Sequence, residues 1–532
     1  MKATEKHKII LFLCNWGPHA AYQQLQDNGY QIPAEVKMVL IPCTGRITKA
    51  LLFKAFEMGA DGVAVVGCSS GSCRYGSGAM AARDNTGDTR NILRLLGIGQ
   101  ERLRLATFLP DESAALKEFL GDFSAQIQKM GKSPVLPAGT GDDDLPRGES
   151  VRDILSRHNA YSCQDCGKCT ASCPLALSGK AYSPRNLVSD IIRGNGAAEK
   201  VRADIYACLT CGVCYERCPS DVNFPEFIRD MRCLLRQNEI DQDRCQPHGG
   251  FFQSLMRTMT SPGLAPDRWN GLPEDIRTDS GSKTLFFAGC APYFDAFFRK
   301  HQDVKTMDIV ADALRLLNFF DVRPRLLEWE RCCGHDLLWS GDRRNFLRLA
   351  RLNVEMIQDL GIETVITACP ECYQTIGFEY AKQGVTPGFA VTHLYAFLER
   401  EIDKGAVKFN PLPHRITYQD SCRLNRMETA RDLPRKLIRR LAVDRFAEMQ
   451  DTGRSALCCG NCAWTGCDAY SKALQVKRIR QARDTGSELV VTSCPKCQIH
   501  LRCAMEDPFA GEELKMEMTD LTSLIARTIC WE

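Results

Sequence analysis

The sequence predicts three kinds of structure in one chain: an α/β domain with a parallel sheet, an α-rich segment organised by cysteines, and a duplicated α/β domain. Three observations carry this. Residues 1–130 alternate strand-like apolar runs with amphipathic stretches, the pattern of a parallel sheet flanked by helices. Residues 151–245 contain two cysteine runs of one spacing, CQDCGKCTASCP and CLTCGVCYERCP. From residue 284 the chain repeats itself: TLFFAGC at Cys290 matches ITYQDSC at Cys422, CCG at Cys332 matches CCG at Cys458, and VITACPEC matches VVTSCPKC, at offsets of 132, 126 and 125 residues. A near-constant offset marks a duplicated domain.

In residues 1–130 the strand-like runs are KIILFLCNW, VKMVLIPC, DGVAVVGC and RLRLATFLP, and the helical ones TKALLFKAFEMG, RNILRLLGIG and AALKEFLGDFSAQIQKMG. Cys14, Cys43 and Cys68 each stand where a strand ends, and Cys73 follows in a Gly-Ser turn. That carboxyl edge is where open α/β sheets collect ligands. Residues 131–150, with SPVLPAGTGDDDLPRGES, read as an exposed linker. A second Pro- and Gly-rich passage, 246–283, reads as another, so the repeats divide into 284–405 and 406–532.

The 532 residues are 44% hydrophobic and 25% charged, which suits several domains with separate cores. A net charge of +3 without long runs of one sign argues against a nucleic-acid surface or a polybasic membrane patch. No apolar stretch approaches the roughly 20 residues that span a bilayer, and MKATEKHKIILFLCNW lacks a cleavage site, so a cytoplasmic protein is expected. Twenty-eight cysteines in a reducing compartment point to metal or redox chemistry rather than disulfides.

The spacing Cys-x2-Cys-x2-Cys-x3-Cys-Pro lets three thiolates of one loop grip a cubane while the fourth serves a neighbouring cluster. One 4Fe-4S cluster is therefore expected on Cys163, Cys166, Cys169 and Cys218, and another on Cys208, Cys211, Cys214 and Cys173, in a bacterial-type two-cluster ferredoxin domain. Zinc sites close with paired Cys-x2-Cys units and gain nothing from such interleaving.

Each repeat supplies five cysteines: Cys290, Cys332, Cys333, Cys369 and Cys372, then Cys422, Cys458, Cys459, Cys494 and Cys497. Zinc or an ordinary cubane is satisfied by four thiolates, so a larger or more open metal centre is implied, with a structural or zinc role as the alternative. His335 is either a proton donor or a hydrogen-bonding neighbour of the metal site. Cys233, Cys245, Cys462, Cys467, Cys503 and Cys530 have no counterpart in the repeat and read as packing thiols. No G-x-G-x-x-G nucleotide fingerprint occurs in GADGVAVVGCSSGSC.

The layout Cys, Cys-Cys-Gly, Cys-x2-Cys, present twice, resembles the CCG domain of the heterodisulfide reductase B subunit. That resemblance implies that each five-cysteine set holds a non-cubane 4Fe-4S cluster and that the paired clusters cleave a disulfide. Residues 151–532 resemble the C and B subunits of that enzyme fused, an arrangement shared with iron-sulfur subunits of lactate, glycolate and glycerol-3-phosphate oxidoreductases. The N-terminal stretches FLCNW, IPCTGR, FKAFEMGADGVAVVGC and GSC resemble the delta subunit of methyl-viologen-reducing hydrogenase. There Cys14, Cys43, Cys68 and Cys73 suffice for one 2Fe-2S cluster, although Gly17 replaces the second cysteine of that family's Cys-Asn-Trp-Cys; a scaffold of buried thiols is the alternative. QDSCRLNR departs too, with Gln419 and Arg423 flanking Cys422 where a histidine is expected.

The resemblance implies an oxidoreductase component passing electrons between a flavoprotein, like the flavin-bearing partner in heterodisulfide reductase, and a disulfide-type substrate, with no flavin in this chain. A hydrogenase or formate dehydrogenase would be the donor, in a multi-subunit complex that can itself be dimeric and can split electrons at the flavin. The competing expectation is an electron relay in a flavin- or quinone-linked oxidoreductase of the lactate or glycolate type.

Overall fold

A computed structural model describes residues 7–137, 150–240, 246–405, 407–426 and 430–531. They fall into two compact units: the first joins the chain up to residue 137 with His248–Asn270, and the second holds the remainder.

The first unit is built on a four-stranded parallel sheet of β1 (Ile9–Cys14), β2 (Val36–Ile41), β3 (Gly62–Cys68) and β4 (Leu103–Phe108), in the order β2-β1-β3-β4. Every residue of β3 is buried, as a central parallel strand covered on both faces must be. All four strands lie where the apolar runs put them. Helix Gly17–Asp27, between β1 and β2, did not stand out in the sequence, yet a parallel pair requires such a crossover. It starts with Pro18 in its first turn and buries Ala21, Tyr22 and Leu25.

The two passages expected to be linkers prove structured where described. Residues 131–137 pack on the first unit: Arg102 donates to the carbonyls of Met130, Gly131 and Lys132, and Ser133 N–H to Asp61. Residues 138–149 of that linker lie outside the described residues. Within 246–283, helix Phe251–Thr258 buries all eight of its residues. It lies on helix Lys49–Glu57, with the rings of Phe53 and Phe251 5.3 Å apart. Glu57 accepts from Ser254 Oγ and Arg257 Nε, each at 2.5 Å. The apolar faces of both helices explain the difference: a Pro- and Gly-bounded segment folds when a neighbour can cover it.

Burial alone would raise the Glu57 carboxyl, but Arg257, Lys54 and Ser254 hold it down to about 2. A depressed carboxyl contributes fully above its unfolded pKa and loses that contribution as pH falls through the folded one. Glu57→Gln should therefore cost on the order of 3 kcal/mol near neutrality, the difference from the parent shrinking below pH about 4.5 and vanishing near 2. Urea melts over this range check it; a pH-independent difference would count against the pairing.

The second unit contains the cysteine-rich segment and two further sheets. The first comprises β5 (Thr284–Phe286), β6 (Arg325–Leu326), β7 (Thr364–Thr367) and β8 (Ala390–His393); the second β9 (Leu412–Tyr418), β10 (Val443–Phe446), β11 (Leu489–Thr492) and β12 (Glu517–Asp520). Both are parallel and ordered second-first-third-fourth, the order of the N-terminal sheet. The sequence repeat is thus a structural repeat of α/β units. The cysteine-rich segment is helical, with Pro184–Ile192, Glu199–Ala207 and Phe224–Gln237 its longest helices. Among the described residues no helix is long and apolar enough to cross a membrane.

Candidate metal centres

At the N-terminal sheet the chain order places thiols at the carboxyl ends of neighbouring strands. Cys14 and Cys68 end the adjacent β1 and β3, with their sulfurs 3.6 Å apart. Cys43 follows β2 and accepts from Gly45 N–H at 3.4 Å. Cys73 comes close to it because residue 78 is glycine: a Cβ there would stand 2.5 Å from Cys43 Sγ and 3.1 Å from Cys73 Sγ. Burial pushes the Cys68 thiol up to about 11, against an opposing hydrogen bond from the backbone of Gly17. Gly17 thus contributes a backbone donor at this edge, and the other four cysteines gather without a thiol there.

In the second unit, one cavity is lined by Cys163, Cys166, Cys169, Cys214 and Cys218, and its neighbour by Cys173, Cys208, Cys211 and Cys214. The two loops wind alike. Asp165 and Gly167 in one, and Thr210 and Gly212 in the other, all have positive φ, between 45° and 84°. This left-handed turn, tolerated by glycine and by short polar residues, coils each loop around its thiols. The cysteine preceding each proline, Cys173 or Cys218, lines the cavity of the other loop, and Cys214 lines both.

In the first repeat Cys290 caps helix Ala291–Gln302 beyond β5, and its sulfur is 3.1 Å from Cys332 Sγ. Thiol contacts continue from Cys332 to Cys333, Cys372 and Cys369. Gly289 permits the approach, since a Cβ there would lie 2.6 Å from Cys372 Sγ. The adjacent pair is fixed through its backbone, with Asn353 donating to the Cys332 carbonyl and the Tyr380 hydroxyl to that of Cys333. In the second repeat the contacts run Cys458, Cys459, Cys497, Cys494, with Cys422 near enough to interact electrostatically with Cys462 and Cys459. All ten cysteines therefore come together as two sets of five at like sheet edges. Five gathered thiols fit a multi-iron cluster better than a four-coordinate ion.

A buried chain of polar groups lies between these sets. Arg423 Nε donates to His335 Nε2 at 3.0 Å, so the imidazole carries its proton on Nδ1, 2.8 Å from Asp336. Lys496 bridges Asp336 and Glu371, the latter at 2.6 Å. Burial works against ionisation of Asp336, but Lys496 and His335 hold its carboxyl well below the usual range. Glu371 and Lys496 occupy the same place in CPEC and CPKC, so their opposite charges were visible in the repeat, but their meeting was not. Cys462, expected to be a packing thiol, instead accepts from Arg423 Nη2 at 3.1 Å and from Thr210 Oγ1 at 3.0 Å. Gln419 is engaged elsewhere, on Arg478 at 2.5 Å. Cys233 is buried and its thiol pushed up to about 12 by that burial, whereas Cys467 is exposed; Cys245 lies outside the described residues.

Cys173, Cys208 and Cys211 share one apolar core with Cys458, Cys459, Cys494 and Cys497. Arg426 Nε donates to the Cys211 carbonyl at 2.6 Å, pinning this loop beside the second repeat.

Three family models match the chain: methyl-viologen-reducing hydrogenase, delta subunit, over residues 9–131; a 4Fe-4S dicluster domain over 162–223; and the cysteine-rich CCG domain twice, over 284–377 and 416–502. The chain is 26% identical to the B subunit of fumarate reductase (CoM/CoB) of Methanothermobacter marburgensis, over 70% of this chain and 73% of that one. It is 26% identical to the D subunit of the dihydromethanophenazine:CoB–CoM heterodisulfide reductase of Methanosarcina acetivorans, over 69% of this chain and 93% of that one. With the EtfAB:quinone oxidoreductase of Syntrophomonas wolfei it shares 29% identity, over 46% of this chain and 34% of that one. The chain is thus an iron-sulfur, electron-transferring protein that joins a hydrogenase-delta domain, a dicluster domain and two CCG domains, homologous to the D subunit of heterodisulfide reductase and to the B subunit of CoM/CoB fumarate reductase.

Proposed function

We propose that this chain is the iron-sulfur reductase component of a cytoplasmic heterodisulfide-reductase-like complex, exchanging electrons between a flavoprotein partner and a disulfide-type substrate at its two CCG domains. The observation that carries this reading is the pair of five-thiol sets at like sheet edges, the second sharing a core with the dicluster loop. In this reading Cys163, Cys166, Cys169 and Cys218 hold one cubane and Cys208, Cys211, Cys214 and Cys173 the other. Each five-cysteine set holds a non-cubane 4Fe-4S cluster, and Cys14, Cys43, Cys68 and Cys73 hold a 2Fe-2S cluster. The clusters supply one-electron steps, and cleaving a disulfide to two thiols takes two electrons, which suits a pair of sites flanking one substrate. The relative named as a CoB–CoM heterodisulfide reductase component supports a disulfide or related sulfur compound.

The partner is a flavoprotein like the flavin-bearing component of heterodisulfide reductase, supplied by a hydrogenase or formate dehydrogenase module. The hydrogenase-delta domain supports it, because in the resembled complexes that domain hands electrons to such a flavoprotein. A relay whose chemistry lies at a flavin or quinone elsewhere is the second reading, favoured by the likeness to the EtfAB:quinone oxidoreductase.

Anaerobic iron and sulfide analysis should approach about 18 iron atoms per chain; a value near about ten would leave both CCG sets empty. Adding a heterodisulfide to the reduced protein should produce a new paramagnetic signal. A response to quinone alone would transfer support to the relay.

A further inference from the structure

Arg423 is 1% exposed and reaches segments carrying three thiol sets. Its Nη1 and Nη2 donate to the carbonyl and hydroxyl of Thr210, both at 3.2 Å, and Thr210 lies between Cys208 and Cys211 of the dicluster loop. Its Nε donates to His335, two residues after Cys333 of the first repeat. Its Nη2 donates also to Cys462, three residues after Cys459 of the second, and Arg423 itself follows Cys422. The guanidinium carbon lies over the buried indole of Trp339, 4.0 Å from the ring centre. These acceptors are a carbonyl, a hydroxyl, an imidazole and a thiol. Lys496, another buried cation here, is shared between the carboxylates of Asp336 and Glu371.

A cation in a low-dielectric interior acts strongly on charge a few ångströms away, and nearby charge and hydrogen bonding set the reduction potential of an iron-sulfur site. Arginine is suited to such a position because its planar fork satisfies several acceptors at once and stays ionised.

We propose that Arg423 is a positioning residue that locks the dicluster loop and both CCG sets together, and that its buried positive charge makes the dicluster and second-repeat clusters easier to reduce. The inference rests on the ligand assignments of the proposed function and adds to them a residue that sets relative potentials rather than holding iron.

The test is an EPR-monitored redox titration of the full-length, cluster-loaded protein with R423Q, R423M and R423K, alongside iron content and thermal melting. In both neutral variants the reduction equilibrium of the cluster beside Thr210 and of the second CCG signal should fall at least about tenfold, a midpoint lower by about 59 mV for one electron. R423K keeps the charge and should stay within about threefold of the parent while melting lower, since a point charge cannot reproduce the fork. Folded, iron-replete neutral variants with parental midpoints would overturn the inference, as would R423K shifting as far as R423Q. If neither neutral variant folds, R423K and T210V decide: both retain the cation, both should titrate like the parent, and a tenfold shift in either would overturn the assignment to charge. A parent protein lacking CCG signals would defeat the functional reading separately, with the Arg423 effect still read on the dicluster signal.

Discussion

Cys332→Ser should extinguish one CCG cluster signal and leave both dicluster signals in place. Its sulfur touches Cys290 and Cys333 within the first repeat, and none of the eight dicluster cysteines belongs to that set. A serine hydroxyl at this buried position should cost about 1–3 kcal/mol, tolerable for a unit of this size. Cys458→Ser should behave differently. It should remove the other CCG signal and also perturb one dicluster signal, because Cys458 and Cys211 belong to one core and interact electrostatically. The affected signal should be that of the Cys173, Cys208, Cys211 and Cys214 set, with the Cys163, Cys166, Cys169 and Cys218 set unchanged. EPR at graded potentials separates these outcomes. Loss of every signal from Cys332→Ser in a protein that stays folded would defeat the modular arrangement.

Arg232→Ala should destabilise the protein more than any of these other substitutions, by about 3–5 kcal/mol. Arg232 is 0% exposed and donates to the carbonyls of Ile205, Tyr206 and Cys208, and across to that of Trp339 at 2.7 Å. The first three are at the C-terminal end of helix Glu199–Ala207, where carbonyls lack helical partners and the helix dipole favours a cation. The side chain therefore caps the helix that delivers Cys208 and ties it to the first repeat. Truncation removes the donor from four buried carbonyls and leaves a cavity. Arg232→Lys should recover only part of the loss, since one ammonium cannot reach acceptors on both sides. Urea midpoints measure this directly; a cost below about 1 kcal/mol would show that the cap does not hold the loop.

Much of the N-terminal domain was legible because its central strands, Ile9–Cys14 and Gly62–Cys68, are uninterrupted apolar runs, as parallel strands covered on both faces must be. Helix Gly17–Asp27 was not, because its opening GPH resembles a turn and its apolar face amounts to a few residues. Helix Phe251–Thr258 was hidden for another reason. It is only eight residues long, too short for its apolar face to stand out as a periodic pattern, and Pro and Gly on both sides mimic a linker. The thiol sets were the clearest feature, since a chelating loop must bring its ligands together over a few residues and so writes its geometry into local spacing.

By itself, then, the sequence determined that the chain carries clustered cysteine motifs and that two α/β units repeat, because loop spacing and strand periodicity are local. Which sets lie side by side was decided only by the tertiary structure. So was the burial of Arg423, Lys496, Asp336 and Glu371 between the repeats, along with the reassignment of Cys462 from packing to this network. A charge can be buried only where acceptors or opposite charges meet it, and here those partners come from positions as far apart as Thr210, His335 and Lys496. No local pattern encodes a meeting between residues separated by more than a hundred positions; the packing of the repeats and the dicluster segment does.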